Sequence, residues 1–159
     1  MAEFEDPSVD VVYADLVYVD WDDTDKILRH WKSKDYVEGD FSKAFVCAHP
    51  TLFVRKSVYD KAGGYDLTYR LAADYEFILR IFHQYKVKSV YLPKILVRMR
   101  AGGATGESAS AIKKQNVEIF SALERHQVPF SKLTFMVHKV LNRLSQRFKA
   151  GSVKMPQNV

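Results

Sequence analysis

The chain has one cysteine, Cys47, among 159 residues. A single thiol cannot build an internal disulfide framework, and it fits a reducing compartment. No apolar run approaches the length of about 18 residues that a membrane-spanning helix needs. The opening stretch MAEFEDPSVD is acidic and lacks an apolar h-region, so it does not read as a signal peptide. These absences make the cytoplasm the simplest expected location. No internal repeat and no low-complexity tract is found.

Charge of one sign is missing at each end. Residues 1–25 hold nine acids and no Lys or Arg. Residues 125–159 hold seven Lys or Arg and no acid, which leaves 17 basic and 19 acidic residues before position 125. The net charge of +5 therefore belongs to the tail alone. Such a distribution does not point to nucleic acid, and none is expected as a partner. It suits an anionic surface met by one element.

What is present is enough for a core. The hydrophobic fraction is 47% and the aromatic fraction 13%, which excludes a disordered chain and predicts one domain. VDVVYADLVYVD (9–20) is rich in Val and Tyr, without the period-two alternation of a half-exposed strand, and reads as a buried strand. WDDTD (21–25) is a turn of short acids, and 26–31 resumes in extended or irregular form. A strand or loop runs through His49, followed by a short strand in TLFVRK. Ser57 is the expected N-cap of a short helix SVYDKA, ended by Gly63 and Gly64.

A helix is predicted over 72–85 from Phe77, Ile78, Ile81 and Phe82. KVKSVYLPKILVRMR reads as one or two short strands broken at Pro93, and AGGATGES as a flexible loop. Two helices, over 108–126 and 130–149, flank Pro129; residues 151–159 are expected to form a disordered tail. No complete βαβ unit with a glycine-rich nucleotide turn is seen. The chain reads as if it begins in the middle of a sheet, its first strand lacking neighbours.

The order VDVVYADLVYVD, HPTLFVRKSVYDKAGGYDLTYRLAADYEFILRIF and LPKILVRMRAGGATGES resembles the second half of bacterial family-2 glycosyltransferases. The subgroup is that of colanic-acid and related surface-polysaccharide synthesis. The resemblance covers roughly residues 7–125 and is most specific in HPTLFVRKSVYDKAGGYD and AADYEFILR. It implies an α/β class and part of a GT-A fold: a mixed sheet without the N-terminal nucleotide-binding lobe, followed by two C-terminal helices. Residues 1–107 are then the acceptor-side half and 108–150 a helical segment. The complete enzyme is expected to use a nucleotide-sugar and Mg²⁺ or Mn²⁺, and to invert the anomeric carbon. No cofactor and no metal site is assigned to this chain, and Asp15, inside the first strand, is not taken as a metal ligand. Transfer by the chain alone is not expected.

By position, Asp74 reads as a first-turn carboxylate that stabilises its helix by about 0.3–1 kcal/mol. The resemblance implies a different role, as the base that takes the proton from the acceptor hydroxyl. Glu76, two residues on, is off the Asp74 face and reads as structural or solvent-facing. Arg80 is expected to anchor a buried carboxylate or a helix end. His49 precedes a proline, which biases it to extended backbone; it is either a half-buried hydrogen-bonded residue or part of the acceptor or diphosphate pocket. Arg98, Arg100, Gly102 and Gly103 either edge that pocket or simply connect to the final helices. The other four histidines show no metal spacing and receive no role. Asp20, Asp22, Asp23 and Asp25 read as a solvated turn, since a calcium loop needs a central Gly and a downstream Glu.

The last helix carries a stripe of Leu133, Val137, Val140, Leu141, Leu144 and Phe148, with Lys132, Lys139, Arg143 and Arg147 largely off it. The favoured expectation is packing on its own domain with a solvated basic face; the other is contact with the inner face of a membrane. Expected partners are thus a saccharide or lipid-linked acceptor, a missing N-terminal half, or a second copy paired through residues 9–19. The alternative function is a catalytically inactive module that binds saccharide or membrane.

Overall fold

One strand organises the molecule. The computed structural model describes residues 2–102 and 108–148. Strand β1 (Val11–Val19) is buried at every position except Tyr18, as its sequence, apolar or aromatic at all positions but Asp15, requires of a central strand. Along one edge it pairs in parallel with β4 (Ser89–Arg100) over its whole length. Along the other it pairs antiparallel with β2 (Ile27–Trp31) at residues 16–19 and with β3 (Phe53–Val54) at residues 11 and 12. Between those two neighbours the edge is closed by side chains. Thr51 Oγ1 accepts from the Ala14 N–H at 3.1 Å and lies 2.9 Å from the Ala14 carbonyl, which also accepts from Ser33 Oγ at 3.1 Å. The expectation of a partnerless first strand is therefore corrected. With both edges of β1 occupied, no free ladder remains there for a second copy to extend.

Asp15 is the charged residue inside this strand, and it is 3% exposed. A buried carboxylate must be hydrogen-bonded to persist. Oδ1 accepts from the Ser33 N–H and the Tyr91 hydroxyl, both at 2.8 Å, and Oδ2 lies 3.1 Å from His30 Nε2. The aspartate thus ties β1 to β4 and to the exit of β2. Burial first, and then this hydrogen bond, push the Tyr91 phenol well above its usual range. Asp15→Asn should lower stability by only about 1 kcal/mol in urea unfolding, because the amide oxygen keeps two donors and His30 can adopt the tautomer that accepts from the amide.

Strand β4 is continuous where a break at Pro93 was expected. Leu92 opposes Ala14 and Ile95 opposes Asp15, so Pro93 and Lys94 bulge out of the ladder. A proline has no N–H to give, and a bulge is where a strand tolerates one. Helix α1 (Lys56–Ala62) starts one residue before the expected Ser57 cap. Arg55 sets that start: its N–H donates to the Asp10 carbonyl at 2.9 Å, and its guanidinium to the carbonyls of Phe4 and Asp6. Gly63 ends α1 at φ 80°, a conformation that favours glycine. Helix α2 (Ala73–Leu79) runs into a π turn, Arg80–Gln84.

Helix α3 (Ala109–Arg125) is capped by Ser108, whose Oγ accepts from the Ala111 N–H at 3.0 Å. Helix α4 (Lys132–Phe148) closes the described chain. Ile119, Leu123, Val128 and Phe135 from this last segment share one core with Val11, Tyr13, Phe41, Phe77 and Phe82. The architecture is α/β: a four-stranded mixed sheet with four α-helices. No helix among the described residues is long and apolar enough to cross a membrane. The expected tail at 151–159 lies outside the described residues.

Candidate functional site

Asp74 sits in the first turn of α2, as its sequence position suggests. The preceding residue Ala72 contributes no side-chain cap. The cap arrives instead from α3, where Glu118 Oε2 accepts from the N–H groups of Leu71 and Ala72 at 2.7 and 2.9 Å. Gln115 Nε2 donates to the Leu71 carbonyl at 3.2 Å. This clamp holds the N–H groups of Leu71 and Ala72 at the entry to α2. Asp74 accepts from the Tyr75 N–H of the first turn at 2.8 Å, while its side chain remains exposed. Among the described residues it forms no ion pair. Glu118→Ala should cost about 1 kcal/mol, read as a lower urea midpoint, because two N–H groups lose their acceptor.

His49 opens a 3-10 turn, His49–Thr51, rather than the extended segment expected ahead of Pro50. The reason is tertiary: Thr51 is drawn onto Ala14 of β1 and curls the chain. The turn brings His49 Nε2 to 2.8 Å from the Tyr65 hydroxyl, with the rings edge to face at 5.7 Å. Tyr65 in turn leans on Phe77 of α2 at 4.8 Å. Burial and Tyr59 raise the Tyr65 phenol pKa, and the field of Asp74 adds to the rise. The same carboxylate acts on Cys47, whose thiol is pushed up to about 12, chiefly by burial. The hydroxyl–imidazole pair of Tyr65 and His49 and the exposed Asp74 carboxylate are thus near enough for the carboxylate's charge to reach Tyr65. Cys47 stays a protonated, inert thiol.

Glu76 and Arg80 have the opposite fate. Glu76 is 2% exposed. Its Oε1 lies 3.0 Å from Arg80 Nε and 2.8 Å from His126 Nε2, and its Oε2 lies 3.1 Å from Arg80 Nη2. Arg80 also donates to the carbonyls of Ala62 and Gly64, at the end of α1. Both expected roles for Arg80, a buried carboxylate and a helix end, are filled by one side chain. Glu76 is structural, and its solvent-facing alternative is excluded.

Arg98 and Arg100 lie at the C-terminal end of β4, opposite Val17 and Val19. Their recorded partners belong to the acidic turn: Arg98 reaches Asp25 at 3.3 Å, and Arg100 donates to the Trp21 carbonyl at 3.1 Å with its guanidinium over the Trp21 ring. Neither contacts His49, Tyr65 or Asp74. Gly102 has φ 114°, suited to a glycine turn, and Gly103 lies outside the described residues. Among the described residues no three His, Cys, Asp or Glu side chains converge where they could hold a metal ion, so no chemical step is routed through one.

Sequence reasoning missed Tyr65, Glu118 and His126. The latter two had one available signal, a titratable residue within a turn of the buried positions Ile119 and Val128. Which distant group each would meet is not written in its spacing. Comparison of the chain with protein-family models, with curated proteins and with solved structures found no match.

Proposed function

We propose that this chain supplies the acceptor side of an inverting sugar transferase of the family-2, GT-A type, acting in surface-polysaccharide synthesis, with Asp74 as general base. The observation that carries the reading is the contrast between two acids two residues apart. Glu76 is consumed by Arg80 and His126, while Asp74 is exposed, forms no ion pair among the described residues, and acts with its charge on Tyr65, the partner of His49.

In the proposed reaction an acceptor hydroxyl oxygen attacks the anomeric carbon from the side opposite the diphosphate. The new C–O bond forms as the bond to phosphate breaks, and the diphosphate leaves with the electron pair. The hydroxyl proton passes to Asp74 late in the transfer, when the attacking oxygen has become acidic. The His49–Tyr65 pair offers a donor and an acceptor that can orient a neighbouring sugar hydroxyl. A nucleotide-sugar and its divalent ion belong to a nucleotide-binding lobe in this proposal, and no residue of this chain is assigned to them.

The test measures transfer from UDP-sugars to saccharide acceptors, with this chain alone and with a nucleotide-sugar-binding lobe supplied. Transfer that requires both parts and Asp74 supports the reading. Transfer that survives Asp74→Asn removes the base assignment. Saccharide binding without transfer in the combined protein favours the inactive binding module.

A further inference from the structure

Helix α4 packs, but not through the stripe its sequence advertises. Phe135 is 1% exposed and meets Phe120 and Phe130 at ring distances of 5.5 and 6.2 Å. Lys139, on the same side, donates to Asn116 Oδ1. Helix α4 also runs beside β2 and the Asp40–Lys43 turn. At about 100° per residue, Leu133, Val137, Val140, Leu141 and Leu144 fall on the opposite side of the helix. Their exposures run from 45% at Leu144 to 76% at Leu133. The helix thus packs on its own domain with its arginines solvated, but through Phe135 and Lys139 and not through the stripe. Burying Phe135 and the Lys139 stem turns it outward.

Five large apolar side chains along one helix make a contiguous patch of the kind that marks a contact surface. Its flank is cationic. Arg143 and Arg147 lie between the stripe and the packed side, and α4 contains no acid. Arg29 of β2 is held away from this flank, half-buried with its guanidinium over the Tyr18 and Trp31 rings at 4.1 and 5.3 Å. Lys132 is already paired with Glu124 at 3.2 Å, and Lys149 and Lys154 follow in the sequence.

We propose that α4 docks on an anionic phospholipid surface, its Leu/Val stripe entering the acyl boundary and the exposed Arg143 and Arg147 meeting the headgroups. The chemistry favours this occupant over a second copy. A symmetric pair presents the same patch twice, which would set the uncompensated arginines of the two copies near one another. A bilayer with anionic lipid offers the complementary arrangement: hydrocarbon below and negative charge at the rim. The inference does not rest on the transferase reading.

The test is flotation of the full chain with phosphatidylcholine vesicles, with and without phosphatidylglycerol. Binding is expected only with the anionic lipid and should weaken as salt is raised. Leu141→Glu with Leu144→Glu should lower partitioning by more than about tenfold. Arg143→Gln or Arg147→Gln should lower it by about fivefold each. The substituted positions are exposed, so circular dichroism should be unchanged, and binding can be read on a folded protein. Equal partitioning onto neutral vesicles, or binding indifferent to the leucine changes, overturns the proposal. So does a failure to bind vesicles, whether light scattering then finds a monomer or a dimer that the leucine changes dissolve.

Discussion

Asp74→Asn is expected to abolish most sugar transfer, by about 10²–10⁴-fold in kcat/KM, once a nucleotide-sugar-binding lobe is supplied. The amide keeps the size of the side chain and can still accept from the Tyr75 N–H, the bond that Asp74 makes at 2.8 Å. It cannot take a proton. The helix itself should scarcely notice, since the amide oxygen can keep the Tyr75 bond and Glu118 still holds the N–H groups of Leu71 and Ala72. A thermal midpoint close to that of the unchanged protein, together with lost transfer, separates a chemical role from a structural one. Acceptor affinity should change little, so the loss should fall on kcat. If stability drops and transfer persists, Asp74 is a helix-starting residue and nothing more.

The largest loss of stability is expected from Glu76→Ala, about 3–5 kcal/mol. The substitution removes the acceptor from two buried donors at once. Arg80 would keep its positive charge with side-chain exposure of 13%, and His126 would keep an unpaired ring nitrogen at 8%. Leaving a buried charge uncompensated costs far more than the net worth of the pair. Urea unfolding would register the change; a loss below about 1 kcal/mol would mean that the triad is solvated and weak.

The same group predicts acid sensitivity. Burial opposes ionisation of Glu76, but the hydrogen bonds from His126 and Arg80 outweigh it and hold the carboxyl below its ordinary value of 4.5. A carboxyl depressed in the folded state contributes its stabilisation in full above the unfolded-state pKa. That stabilisation is lost as pH falls through the folded value. Stability should therefore decline from about pH 4.5 downward, and the decline should be shallower in the Glu76→Ala protein, which has already lost the group.

Much of the scaffold could be read from residue order. The Val- and Tyr-rich segment 9–20 reads as a strand buried on both faces, and β1 is one. Helices α3 and α4 begin and end within two residues of their expected bounds, because Ser108 and Pro129 are strong local punctuation. Gly63 stops α1 for the same kind of reason. The bulge at Pro93 was half legible: a proline forbids one ladder bond, but only the pairing of β4 with β1 shows that the strand continues past it.

The candidate site divides in the same way. Asp74, His49 and Arg80 could be singled out from their own neighbours in sequence. Their fates could not, because each depends on a partner many residues away: Glu118 for the turn before Asp74, Tyr65 for His49, and His126 for the carboxylate that Arg80 holds.

The amino-acid order by itself determined the element types, the central strand, the amphipathic final helix and the polarity of charge along the chain, since these follow from side-chain period, backbone restriction and composition. Tertiary structure alone decided which acid stayed open and which was locked, how the edge of β1 was closed, and which side of α4 turned outward. Those outcomes depend on competition among distant groups for the same buried space. A helix's period states that it has two faces, but only the shape of what it packs against selects the one that is covered.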